Sequence, residues 1–320
     1  MKLRRVIFIF LPLLAAAVLL GVCFGSVSLS RLLAGEETAR IILLQLRLPR
    51  VAAGVLAGIG LSTAGVLLQT VTSNDLAGPN IIGVNSGAGL AVILLLSFLP
   101  GAGKLLPLGA FLGAFAAALV ITAAAGRLGS SRAGIVLIGI AVTTIFNAAI
   151  SFLSLLDEGV LAQYNHFTVG SLKGVRMEEL ILPGILIGAA FLGSLIIGHS
   201  LGTLCLGDAA AAALGVRVKR LRMIALALAA ASAAAVVSFA GLLGFVGLMV
   251  PHISRTLVGP RPRKLLVTSA LVGSVLVVLA DLLGRVLVAP SELPVGILLS
   301  LVGGPYFLIL LVRRKRHAGV

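Results

Sequence analysis

The chain has 320 residues, of which 59% are hydrophobic and only 11% charged. A water-soluble domain carries about 25% charged residues because its surface must meet water, so the composition excludes a soluble globule and leaves a membrane protein. The charge is lopsided, Lys+Arg 25 against Asp+Glu 10 for a net +15, which fits nucleic-acid binding only if those residues gather on one soluble face.

In chain order, the basic Met1–Arg5 precedes an apolar run, Val6–Gly25. No small-x-small cleavage site stands clear of that run, and Val22 is a poor residue before a lipoprotein-type cleavage at Cys23, so an uncleaved first helix is expected. A segment with Arg40, Arg47 and Arg50 follows. Further apolar runs of bilayer length are Val51–Val71, Ile81–Leu99, Leu105–Ala125, Ala133–Leu156, Leu180–Ser200, Leu265–Val288 and Val295–Val312. Continuous runs of this length are helices, since barrel strands alternate over about ten residues. Cys23 and Cys205 give no disulfide framework.

The stretch Met223–Val258 is too long for one span and short for two. Basic residues in short loops favour the cytoplasmic side. A turn near Ala240–Leu243 puts Arg217, Lys219, Arg220 and Arg222 on the same side as Arg255, Arg261, Arg263 and Lys264, together with both basic termini. The expectation is therefore an all-α membrane protein of about ten transmembrane helices in a compact bundle, with both termini cytoplasmic and residues 1–320 forming a single unit. The whole positive excess then lies inside the cell, which topology alone requires, and the nucleic-acid reading falls away. Gly54/Gly58, Gly83/Gly87, Gly109/Gly113 and Gly184/Gly188 are spaced to let helix backbones approach closely.

Catalytic motifs are missing. There is no H-E-x-x-H, no G-x-S-x-G and no zinc-type Cys/His cluster. Gly103–Lys104 is followed by Leu105 and lacks the leading glycine of a phosphate-binding loop, so the chain is expected to hold no ATP, metal or other cofactor itself. Asp281 and Arg285, four residues apart, form an intramembrane pair on one helix face. A lone buried acid would suit an ion-coupled secondary transporter, and Asp281 is the only acid that qualifies. Arg47 and Arg50 break the charge rule by lying outside, and arginine suits bidentate contact with carboxylates, so they suggest a docking surface for an acidic partner.

Several motifs in order resemble one family. They are Arg47-Leu48-Pro49-Arg50, Gly65–Gln69, Asn74-Asp75-Leu76-Ala77-Gly78-Pro79, Gly83–Ala88, Gly241–Arg255 and Glu292-Leu293-Pro294-Val295-Gly296. The chain is similar to the permeases of type II ABC importers for iron–siderophores, haem and cobalamin. That resemblance implies a permease, not an enzyme, in the bacterial cytoplasmic membrane, working by alternating access. It implies a second permease copy, with the path between subunits, and two cytoplasmic ATPase subunits carrying ATP and Mg. It also implies an extracytoplasmic binding protein docking on Arg47, Arg50 and Arg285. A cytoplasmic gate is implied at Asn74, Ser130 and Ser131, and ATPase coupling within residues 201–222 at Gly207, Asp208, Ala209, Leu214 and Gly215, with Asp208 at a helix N-cap. Asp75 stands where the family commonly has proline.

Overall fold

The computed structural model describes residues 3–24, 40–99, 101–127, 132–288 and 291–318. Among these, the regular structure is entirely helical. The helices are α1 (Leu3–Cys23), α2 (Leu48–Thr72), α3 (Val84–Phe98), α4 (Leu106–Arg127), α5 (Arg132–Ser154), α6 (Glu158–Val169), α7 (Met177–Leu204), α8 (Asp208–Ala213), α9 (Val218–Ala240), α10 (Val246–Val258), α11 (Pro262–Val286) and α12 (Val295–Ala318). A π-helical turn, Ile42–Arg47, leads into α2, and a 3₁₀ turn, Pro79–Ile82, precedes α3.

Seven of these are long and apolar enough to cross a membrane by themselves: α1, α2 with its π turn, α4, α5, α7, α9 and α11. The remaining sequence-expected spans fall short for a physical reason. Apolar windows Val84–Phe98 and Val295–Leu310 are shorter, and α10 has only 13 residues.

The centre of the bundle is α2, 78% buried over its span window, while α1 and α5 lie at the rim with 17% each. Helix α2 is rich in Gly, Ala, Ser and Thr, which let neighbours approach it closely, and it packs principally on α11 and α9. The small-residue spacings divide. Gly58 lets α2 reach the backbone of α11 at Gly273–Ser274, Gly54 meets Val278, and Gly87 faces Gly113 across α3 and α4. Gly188 faces open space.

The long stretch Met223–Val258 breaks at Gly241–Phe245, where a turn was expected. Gly241 caps α9 at φ +67° and Phe245 enters α10 at φ +64°. Three glycine-bearing motifs, separate in sequence, meet here. The Ser171 amide donates to the Ala240 carbonyl (2.9 Å), and the Gly296 amide to the Gly170 carbonyl (3.1 Å). A Cβ on Gly241 would press on the Phe167 carbonyl, and one on Gly296 would overlap that of Val169. The Phe245 ring lies against Gly303, eight residues into α12 and so about 12 Å along it. The break is therefore sunk into the bundle, where irregular backbone persists only when protein or a cavity lines it.

Helix α6 was not expected. Asp157 caps it, its Oδ1 accepting from the amides of Gly159 (2.7 Å) and Val160 (3.2 Å).

Candidate functional site

Arginine and carboxylate side chains gather where α1 and α11 end and α2 begins. Arg47 and Arg50 sit on successive turns at the start of α2, and Asp281 and Arg285 one turn apart near the end of α11. The Arg50 guanidinium grips Asp281, with Nε 3.0 Å from both carboxylate oxygens and Nη2 2.9 Å from Oδ1. Its Nη1 reaches Glu292 Oε2 at 2.9 Å. Arg285 Nε lies 3.3 Å from Asp281 Oδ2, and its Nη1 donates to the carbonyls of Gly21 (3.0 Å) and Phe24 (3.2 Å). Arg47 Nη1 donates to the carbonyls of Val22 and Cys23, both at 2.9 Å. Two arginines thus satisfy carbonyls that the end of α1 leaves without helical donors.

All three arginines anticipated at a docking surface are brought together, but they point inward. Arg47, Arg50 and Arg285 are 5%, 8% and 6% exposed. The intrahelical pair Asp281–Arg285 is present, yet the principal partner of Asp281 is Arg50, 231 residues away in sequence. Glu292 is the partly exposed carboxylate of the cluster, and in sequence nothing but the Glu292–Gly296 motif marks it. Lys173 Nζ lies 3.9 Å from it at the rim.

At the opposite end of α2, Ser73 adopts the left-handed conformation (φ 49°) and ends the helix. The Asn74 Oδ1 accepts from the Leu76 amide (3.0 Å), closing a side-chain turn. Asp75 pairs with Arg255 near the end of α10. Arg255 Nη2 also donates to Gln69 Oε1 (3.2 Å), and Gln69 Nε2 to the Leu248 carbonyl (3.1 Å). The residue that departs from the family pattern therefore latches α2 to α10. Of the other anticipated gate residues, Ser130 and Ser131 lie outside the described residues. Because Asp75 is about half exposed, Asp75→Asn is expected to lower stability by less than about 1 kcal/mol. The exchange Asp75→Arg with Arg255→Asp should recover most of that loss in thermal unfolding of the purified protein in micelles.

The segment 201–222 contains α8 between two glycines at positive φ, Gly207 (+105°) and Gly215 (+82°). Gly207, not Asp208, holds the cap position. Asp208 opens the helix, and its carboxylate receives Arg222 Nη2 at 3.0 Å on both oxygens. Arg222 is 2% exposed, so a fully buried guanidinium at the start of α9 pins the short helix. Ala209 is exposed on α8, and the large apolar residues beside the helix, Leu206 and Leu214, are 68% and 63% exposed.

Among the described residues no group of three or more His, Cys, Asp or Glu is placed to hold a metal ion.

The FecCD transport family model matches residues 13–313. The iron(3+)-hydroxamate import system permease of Bacillus subtilis is 39% identical over 292 residues, covering 87% of this chain and 86% of that one. The hemin transport system permease of Yersinia pestis is 37% identical over 282 residues, covering 86% and 84%. A solved chain described as a metal-chelate type ABC transporter in an inward-facing conformation superposes with a TM-score of 0.86 at 29% identity, covering 97% of this chain and 99% of that one. With the family model matching residues 13–313 and a relative 39% identical over 87% of the chain, the chain belongs to the FecCD transport family.

Proposed function

We propose that this chain is the membrane subunit of an ATP-driven importer for a metal chelate, namely a ferric siderophore, haem or a corrinoid. The observation that carries the reading is likeness over most of the chain to permeases of ferric hydroxamate and hemin systems and to a metal-chelate type transporter. Hydrolysis belongs to separate ATPase subunits.

Ten helices, α1–α5, α7 and α9–α12, are read as spans of the bacterial cytoplasmic membrane, with both termini inside and residues 1–320 as one unit. The break at Gly241–Phe245 supports this, because it returns Arg255, Arg261, Arg263 and Lys264 to the side of Arg217–Arg222. Arg47, Arg50 and Arg285 then lie outside. Three arginines and Lys173 set against Asp281 and Glu292 leave the cluster with a positive excess, which favours an acidic binding-protein surface by long-range attraction. Asn74, with Ser130 and Ser131, is read as the inner gate. Gly207, Asp208, Ala209, Leu214 and Gly215 are read as the surface that meets the ATPase.

A second copy of the chain is read as facing α5. Thr144, Asn147 and Ser151 form an exposed polar stripe on that helix beside exposed Ile140, Ile145 and Phe152. Polar side chains at membrane depth favour a protein neighbour or a water-filled path over lipid. The path would run between the two copies.

An ion-coupled carrier is the other reading, and the geometry of Asp281 speaks against it. That carboxylate is held by guanidinium groups on two sides, which makes it an ion-pair partner and not a proton carrier. Proteoliposomes containing the permease, its ATPase and its binding protein should take up chelate only with ATP inside the cytoplasmic compartment. Uptake that follows a proton gradient and persists without ATP would overturn the proposal.

A further inference from the structure

We propose that the outer ends of α4 and α7 form a binding site for one phospholipid with a primary-amine headgroup, a phosphatidylethanolamine of the outer leaflet. The inference rests on the membrane topology proposed above and adds a ligand to it.

A cleft of about 650 Å³ opens between the starts of these helices. Its walls are apolar, with Phe111 of α4 facing Leu182 and Leu186 of α7. The surface on either side is also apolar and open. Leu108 and Leu112 are 50% and 54% exposed on α4, and Ile181 and Ile185 62% and 63% exposed on α7. A spanning helix with such a band is covered by acyl chains, so a chain already at this surface has a slot to enter. The α7 side of this band belongs to a helix that packs chiefly on α2, α9 and α11, whereas the second copy is assigned to α5.

The mouth of the cleft is polar and balanced. Lys104 and Arg176 line it together with Glu178 and Glu179. Two cations suit a phosphodiester, and the start of α7 adds the positive end of a helix. Two carboxylates suit an ammonium. A headgroup carrying both charges matches this mouth, whereas a purely anionic headgroup leaves two carboxylates facing it. One more acceptor is available, because Pro183 in α7 has no N–H to donate to the carbonyl of Glu179 four residues earlier. Acceptors of this kind select N–H donors, which ethanolamine has and choline lacks.

The test is native mass spectrometry of the delipidated, purified full-length chain in micelles, titrated with dioleoyl phosphatidylethanolamine, phosphatidylglycerol and phosphatidylcholine. One lipid of the first kind should be retained at least about tenfold more tightly than either of the others. Glu178→Gln with Glu179→Gln should erase that preference, and the fold survives it because a glutamine oxygen still accepts the Arg176 amide that Glu179 now receives at 3.2 Å. Lys104→Gln should weaken all three lipids. Equal retention of the three lipids, or a preference that survives the double substitution, would overturn the site. The measurement needs no ATPase or transport, so its failure leaves the import proposal standing, and failed uptake leaves the lipid result standing.

Discussion

Arg50→Met is expected to destabilise the protein by about 3–5 kcal/mol, because it strands a buried carboxylate. Among the described residues, Asp281, 3% exposed, would keep the single 3.3 Å ion-pair contact with Arg285. Glu292 would there keep Lys173 at 3.9 Å. Removing both charges of the central pair, Arg50→Met with Asp281→Asn, should cost less than Arg50→Met alone, since no orphaned charge remains. Glu292→Gln should cost about 1 kcal/mol, because that carboxylate is partly solvated. Reversible unfolding in mixed micelles orders the four proteins, and raising salt should not rescue Arg50→Met, since buried pairs are little screened. Equal stability of Arg50→Met and the unsubstituted chain would mean that the guanidinium serves only an outside partner. The same assay thus separates the inward role visible in the geometry from the proposed docking role.

The second large effect is expected at the crossing of α2 and α10. A Cβ on Gly65 would overlap the carbonyl oxygen of Gly247, and the three nearest atoms are all Gly247 backbone. Nothing can rotate away, so Gly65→Ala must push two helices apart. Overpacking in a yielding site costs about 1–3 kcal/mol, and here the cost should reach the top of that range or exceed it. Gly188→Ala is the matched control, a mid-helix glycine with nothing within 4 Å of its Cβ position. It should be neutral or stabilise by about 0.5–1 kcal/mol through helix propensity. Similar losses at both positions would mean that close approach is not what Gly65 provides.

Local signals in the sequence carried far, and their reach explains what they missed. The break in Met223–Val258 was legible because basic residues flank it at both ends, so one topology satisfied both clusters. Gly58 and the Gly87/Gly113 pair were legible as close approaches from spacing alone, but Gly184/Gly188 has identical spacing and little or nothing against it. Spacing reports the capacity for contact and not the presence of a neighbour. Asp281 was paired with Arg285 because four residues separate them, while its stronger partner lies across the bundle. No single sequence encodes a contact between positions 50 and 281 in a readable way. Likewise Asp75 looked like a blemish in a motif until Arg255 was seen beside it. Helix α6 does leave a signal: Asp157-Glu158 at the head of a short mixed run is a helix start, but 12 residues are too few to cross a bilayer and so leave no mark in hydropathy.

Biogenesis inherits a constraint from the break at Gly241–Phe245. With 13 residues, α10 extends about 20 Å, against a hydrocarbon core of about 30 Å. It also carries His252 and Arg255, so, as one of the ten spans proposed above, it by itself offers the insertion machinery too little apolar length to be released into lipid. Its principal contacts are with α2, inserted early, and α11, which follows it at once. The expected order is that α10 waits at the protein-conducting channel until Pro262–Val286 emerges, and the two enter together against α2. A sunken interruption that serves the finished bundle thereby makes one helix dependent on its successor during synthesis.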